Sequence, residues 1–275
     1  MTKHGVIKSI SSPRLSSYMT FFGCATEQDC MHYYFWNQAL ASELYILLGT
    51  IEVCLRNNIH DALCVEVSSK INNGVIDHNF AWYDHIDFYE KKRNGTNKTD
   101  RNNNPIYNDT GIGFRKITHK GQRCLNRPPQ VVVSKLEFGK WPYVLTAKWY
   151  LDGSNVDWVK VFPAIFPNFS NMALSYHDFI IERIKSTCKW RNRLAHLEPD
   201  WKFGAVVEKG TGKVLVEEPK NQDEVIKRLN REIRNALQLL SWLCTDTAEH
   251  YQSTSSYQNL LHLASIKGIR EFSYT

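Results

Sequence analysis

Residues 34–67 read YFWNQALASELYILLGTIEVCLRNNIHDALCVEV. Phe35, Leu40, Leu44, Leu47, Leu48, Ile51, Leu55, Ile59 and Leu63 recur with the period of an α-helix, and only Gly49 interrupts the run over about nine turns at 3.6 residues each. A helix this apolar must pack against several others. The stretch therefore predicts a mainly α fold.

The flanks extend that reading. Phe80-Ala-Trp-Tyr83 is followed by KKRNGTNKTDRNNN at 91–104, which has no apolar residue and is expected to be a flexible basic loop. Arg127-Pro-Pro ends one element, and its second proline is suited to opening the next helix. Within 131–150 the valine run alone suggests a strand, but Gly139 and Pro142 favour two short helices with a tight bend, Pro142 sitting in the first turn of the second. Phe162-Pro163 and Phe166-Pro167 mark another break. A second long helical segment is expected from Ser170 to about Ala195, N-capped by Ser170 or Asn171, with Met172, Leu174, Phe179, Ile180, Ile184, Cys188 and Leu194 as its apolar side. Turn glycines between β-branched runs predict one small β-hairpin near 205–216. A third helix is expected over Asn221–His250. No repeat or domain linker is visible, so residues 1–275 are expected to form one helical domain.

Composition excludes some classes. The chain has 275 residues, 43% of them apolar and 23% charged, which argues against disorder throughout. No run approaches ~20 uninterrupted apolar residues, and the N-terminus has no apolar signal core. A cytoplasmic protein without a membrane partner is expected. The seven cysteines are scattered with no CxxC pair, so free thiols and no metal or other cofactor are expected. The net charge is +6, but residues 91–127 hold ten Lys and Arg against two Asp, a local +8 that leaves −2 for the rest. Such an excess suits a polyanion or a merely solvated loop.

The densest polar cluster is RIKSTCKWRNRLAHLE at 183–198, with Arg183, Lys185, Lys189, Arg191 and Arg193. Like charges on one helix repel, although cations near its C-terminus suit the helix dipole. Arg191, Asn192 and His196 combine a phosphate-binding fork, an orienting amide and a side chain suited to proton transfer near neutrality. Asn192 and His196 share a helix face, whereas Arg191 and His196 stand about 140° apart on an ideal helix. Spacing alone favours a basic helix end with an exposed histidine. Glu52 and Arg56 are four apart and are expected to pair; they, Asn57 and Glu198 are read as structural or supporting. Arg56-Asn57-Asn58-Ile59-His60 echoes the motif with one residue too few, and His60 is read as an ordinary surface histidine. Trp141 and Trp149 are read as core.

RNRLAHLEP at 191–199 resembles the RNR-aliphatic-x-H-x-EP signature of the Abi-like (AbiD/AbiF) abortive-infection proteins, a branch of the HEPN superfamily. SPRLSSY at 12–18, YFWN at 34–37 and IEVCLRN at 51–57 are similar to that family's N-terminal helices; SKLEFGKW at 134–141 and Phe166-Pro167 are similar to its L-x-FG-x-W turn and following FP. Together they span roughly residues 12–199. The resemblance implies an HEPN-type helical bundle with extra helices, acting as a metal-independent endoribonuclease and homodimer. Arg191, Asn192 and His196 would be catalytic, and Arg183, Lys185, Lys189 and Arg193 would bind RNA. It further implies a toxin of phage defence, held by a noncoding RNA antitoxin, with a protein antitoxin as the other option. A non-catalytic RNA-binding HEPN protein is the alternative. Leu197 stands where relatives often carry a second histidine.

Overall fold

The computed structural model describes residues 3–170, 176–208 and 210–272. They are mainly α-helical, with two small two-stranded sheets. The chain falls into two compact units: residues 1–50, 190–241 and 246–275 in one, 51–189 and 242–245 in the other.

The helix of residues 34–67 is longer than its pattern, running Glu27–Ile71 (α3, after α1 Lys3–Ile10 and α2 Ser12–Phe22). By length and composition alone it could cross a membrane. Here it serves as the core helix: Leu40, Leu44, Leu47, Leu48, Ile51, Leu55, Ile59 and Leu63 are fully buried.

In the first unit α1, α2 and the start of α3 are joined by the expected hairpin, β1 Val206–Val207 and β2 Val214–Val216. These strands are antiparallel, with Val206 opposite Val216. The third helix is interrupted. One helix runs Gln222–Leu243, and separate ones follow at Thr245–Gln252, Ser255–Leu263 and Ile266–Glu271. Asn221 caps the first of them, and Glu224 ties down the residue before it. Asn221 Oδ1 accepts from Glu224 N at 2.9 Å, and Glu224 reaches back to Lys220 N at 2.8 Å. The last joint is tight: a Cβ on Gly268 would sit 1.9 Å from the His262 carbonyl oxygen. Two side chains catch carbonyls at the end of Ser255–Leu263, the Trp36 indole on Leu263 at 2.9 Å and the Asn230 amide on Ala264 at 2.7 Å.

In the second unit the core is aromatic: Trp82, Phe138, Trp141, Phe162 and Phe166 are fully buried. Pro129 opens the helix Pro129–Lys135, and Pro142 lies in the first turn of Trp141–Val144. The valine run is therefore helical, as the glycine and proline required. Only the second Phe-Pro step is a break; Pro163 lies inside the helix Trp158–Ile165. The Asn58 amide donates to Ile165 O at 2.9 Å and Leu243 O at 3.0 Å, satisfying two helix ends at once. A second small hairpin, His119–Lys120 with Arg123–Cys124, was not anticipated. Nor is 91–104 an unstructured loop. Backbone bonds Lys92 N to Thr96 O, Lys98 N to Glu90 O, Asp100 N to Asn104 O and Ile106 N to Lys98 O fold it back in two turns. The long helix expected from residue 170 runs His177–Ala195, hereafter the motif helix. Asn171, Met172 and Leu174 lie outside the described residues.

Candidate functional site at the end of the motif helix

The motif helix stops where its sequence is most polar. His196 N still bonds Asn192 O at 3.0 Å, but Leu197 turns left-handed at φ 55°. Leu197 N then bonds Leu194 O and Glu198 N bonds Arg193 O, each at 2.9 Å. This is a Schellman ending with leucine where glycine is usual. His196 is thus the residue that caps the helix. Its imidazole is exposed and has no hydrogen bond or ion pair among the described residues. Arg191 leans toward its neighbour, Nη1 lying 3.4 Å from Asn192 Oδ1. Asn192 is exposed and Arg191 half-buried.

The segment after His196 is held from several directions. The Arg14 guanidinium donates to Leu197 O. Arg193 donates to Pro199 O and, at 2.7 Å, to Lys202 O, and its Nε lies 3.3 Å from Glu198 Oε2. Asn37 Oδ1 accepts from Asp200 N at 2.8 Å. Arg14 and Asn37 come from two of the sequence stretches quoted for the family resemblance; Arg14 holds the 191–199 stretch at Leu197, and Asn37 holds Asp200 just beyond it. Asp200 itself is fully buried, and among the described residues neither carboxylate oxygen has a partner at hydrogen-bond geometry, the Trp190 indole being the donor that favours its charged form. Burial pushes its pKa up to about 7, with the Arg193 charge offsetting part of that rise.

Arg193, expected on RNA, is instead the internal clamp just described. Lys185 is paired with Glu182 at 2.7 Å. Arg183 stacks over Phe179 at 5.3 Å and Trp242 at 5.5 Å. Lys189 is exposed. Arg56 donates to Ser134 O at 3.4 Å, with half-buried Glu52 one turn earlier on α3 and Asn57 exposed. Glu198 serves as the partner of Arg193. His60 is not a surface histidine. It is 6% exposed and accepts the Trp82 indole N–H at 2.9 Å, and burial lowers its pKa. Trp141 is core, but Trp149 is only half-buried. Sequence reasoning assigned no role to Arg14, Asn37, Asn58 or Asp200. Each works through a backbone group or a buried position far away in sequence, and no local spacing reports that.

No family model, curated protein or solved structure matches the chain.

Proposed function

We propose that the chain is a metal-independent endoribonuclease of the HEPN kind, cleaving RNA through its own 2′-hydroxyl. The observation that carries this reading is His196, an exposed imidazole without a partner among the described residues, one turn from Arg191 and Asn192, on a helix end fixed by Arg14, Asn37 and Arg193. In the reaction, His196 takes the 2′-hydroxyl proton or returns one to the leaving 5′ oxygen. The 2′ oxygen bonds to phosphorus as the phosphorus–5′ oxygen bond breaks. The ends are a 2′,3′-cyclic phosphate and a 5′-hydroxyl. Arg191 holds the phosphate oxygens as charge builds on them, and Asn192 orients the guanidinium it touches. Proton transfer by a side chain and charge neutralisation by another need neither a metal nor a cofactor.

Arg191 and His196 point about 140° apart on an ideal helix, which supports a homodimer with one Arg191/Asn192/His196 set from each chain at a two-fold axis. Lys189, exposed on the same helix, would meet the RNA backbone. The biological reading is a cytoplasmic toxin of abortive infection, neutralised by a noncoding RNA or by a protein. Incubating total RNA with purified protein in EDTA, beside His196→Ala protein, tests the chemistry. Cleavage by the wild type alone, leaving cyclic phosphate ends, is expected. RNA bound equally by both proteins and cut by neither would move the protein to the non-catalytic RNA binders.

A further inference from the structure

The second unit also holds an open cavity of about 500 Å³ between the segment starting at Asp87, the start of the helix Asp109–Thr118, and residues 140–149. That volume is within the range of small-ligand sites. Trp149 lies half-buried in its wall, with Lys91 Nζ 5.2 Å and Lys148 Nζ 5.8 Å from the indole centroid. Tyr143 contributes a ring that is 57% exposed. Lys91 is fixed by the Asp87 carboxylate and the Asn97 amide oxygen. Lys140 and Lys148 also line the cavity, and among the described residues neither pairs with a carboxylate. The remaining acid in the wall is the exposed Asp109.

We propose that this cavity binds one nucleotide of a single-stranded RNA, its base against Tyr143 and Trp149 and its phosphate on Lys140 and Lys148. Two ammonium groups that meet no carboxylate among the described residues ask for an anion, and an exposed ring and a half-buried one ask for a flat apolar partner. A nucleotide carries both; an acidic peptide would satisfy only the lysines. Base–aromatic stacking with a cationic track is how single strands are held without sequence preference. The basic turns of 91–104 begin at Lys91 in the cavity wall and would extend that track. The choice of RNA over other nucleotides rests on the function proposed above; the cavity's chemistry does not.

The test uses His196→Ala protein, which binds without cutting, and a short labelled oligouridine between about 50 and 200 mM salt. Adding Lys140→Ala and Lys148→Ala together removes one phosphate contact and should flatten the salt slope by ~0.7 on a single strand. Adding Tyr143→Ala should weaken binding roughly fivefold to hundredfold without changing the slope. These side chains are exposed or half-exposed, and circular dichroism checks that each variant stays folded. Unchanged affinity and slope in both variants would overturn the site. So would polyglutamate competing as well as the oligonucleotide, or uridine monophosphate binding as tightly as the strand. Cleavage by the wild-type chain is measured separately, so failure of this cavity is distinguishable from failure of the ribonuclease reading.

Discussion

Arg56-Asn57-Asn58-Ile59-His60 and Arg191-Asn192-Arg193-Leu194-Ala195-His196 use the same residue types on helices, yet the fold spends them differently. The first lies inside α3. There Asn58 ties two helix ends and His60 is sealed against Trp82. The second lies where a helix stops, so its histidine faces solvent while the backbone just beyond it is clamped. A buried imidazole that already accepts a hydrogen bond has no lone pair left to take a proton from a substrate. An exposed imidazole on a fixed helix end does. Position relative to the helix terminus, rather than residue type, separates a structural histidine from a candidate catalytic one.

Around His196 the sensitive group is Asp200. Its folded pKa of about 7 exceeds the ordinary 3.8, so the folded chain keeps a proton that the unfolded chain releases. This stabilising contribution is complete below about pH 4 and is lost as pH rises to about 7, a change of about 4 kcal/mol at 1.36 kcal/mol per unit. Asp200→Asn, which stays neutral, should therefore gain up to that much at pH 8 and little at pH 4, read from urea midpoints. A pH-independent difference would contradict the buried carboxyl.

The α3 stretch should behave with the opposite sign. His60→Ala leaves the Trp82 indole N–H unpaired and opens a hole, and should cost about 2–3 kcal/mol at neutral pH. Because burial lowers the pKa of His60, the unfolded chain gains a proton first as pH falls below about 6.5, so its contribution fades toward acid. His177, also lowered by burial, acts in the same direction. A substitution that costs nothing would return His60 to the surface.

The smallest effect is at Leu197. A leucine at φ 55°, 59% exposed, carries a conformational cost that glycine escapes. Part of that gain is returned as glycine's extra unfolded-state entropy. Leu197→Gly should raise stability by roughly 0.5–1 kcal/mol in the same titration, and a loss would mean that the leucine side chain packs against something.

Periodicity made α3 legible because one apolar stripe is buried along its length, and turn glycines made the 205–216 hairpin legible. The prolines placed the starts of two short helices, overriding the strand preference of Val131–Val133. What stayed hidden was whatever depends on distant partners. His60 looked like a surface residue because nothing local announces Trp82. Arg193 looked like an RNA ligand because the carbonyls of Pro199 and Lys202 that it holds carry no side-chain signature. The 91–104 segment looked formless because its order lies in backbone bonds between polar residues. Of the motif itself, sequence supplied the three residues, and the structure adds the helix end that exposes one of them.

Single-turnover cleavage of a defined RNA in EDTA separates the two histidines, with His60→Ala and His196→Ala proteins compared with the wild type at a temperature where all are folded. The account predicts that His60→Ala stays within a few-fold of the wild-type rate and leaves 2′,3′-cyclic phosphate ends. It predicts that His196→Ala loses roughly 10²–10⁴-fold, the usual worth of general acid–base catalysis. Cleavage by His196→Ala at the wild-type rate, with the same ends, would contradict it.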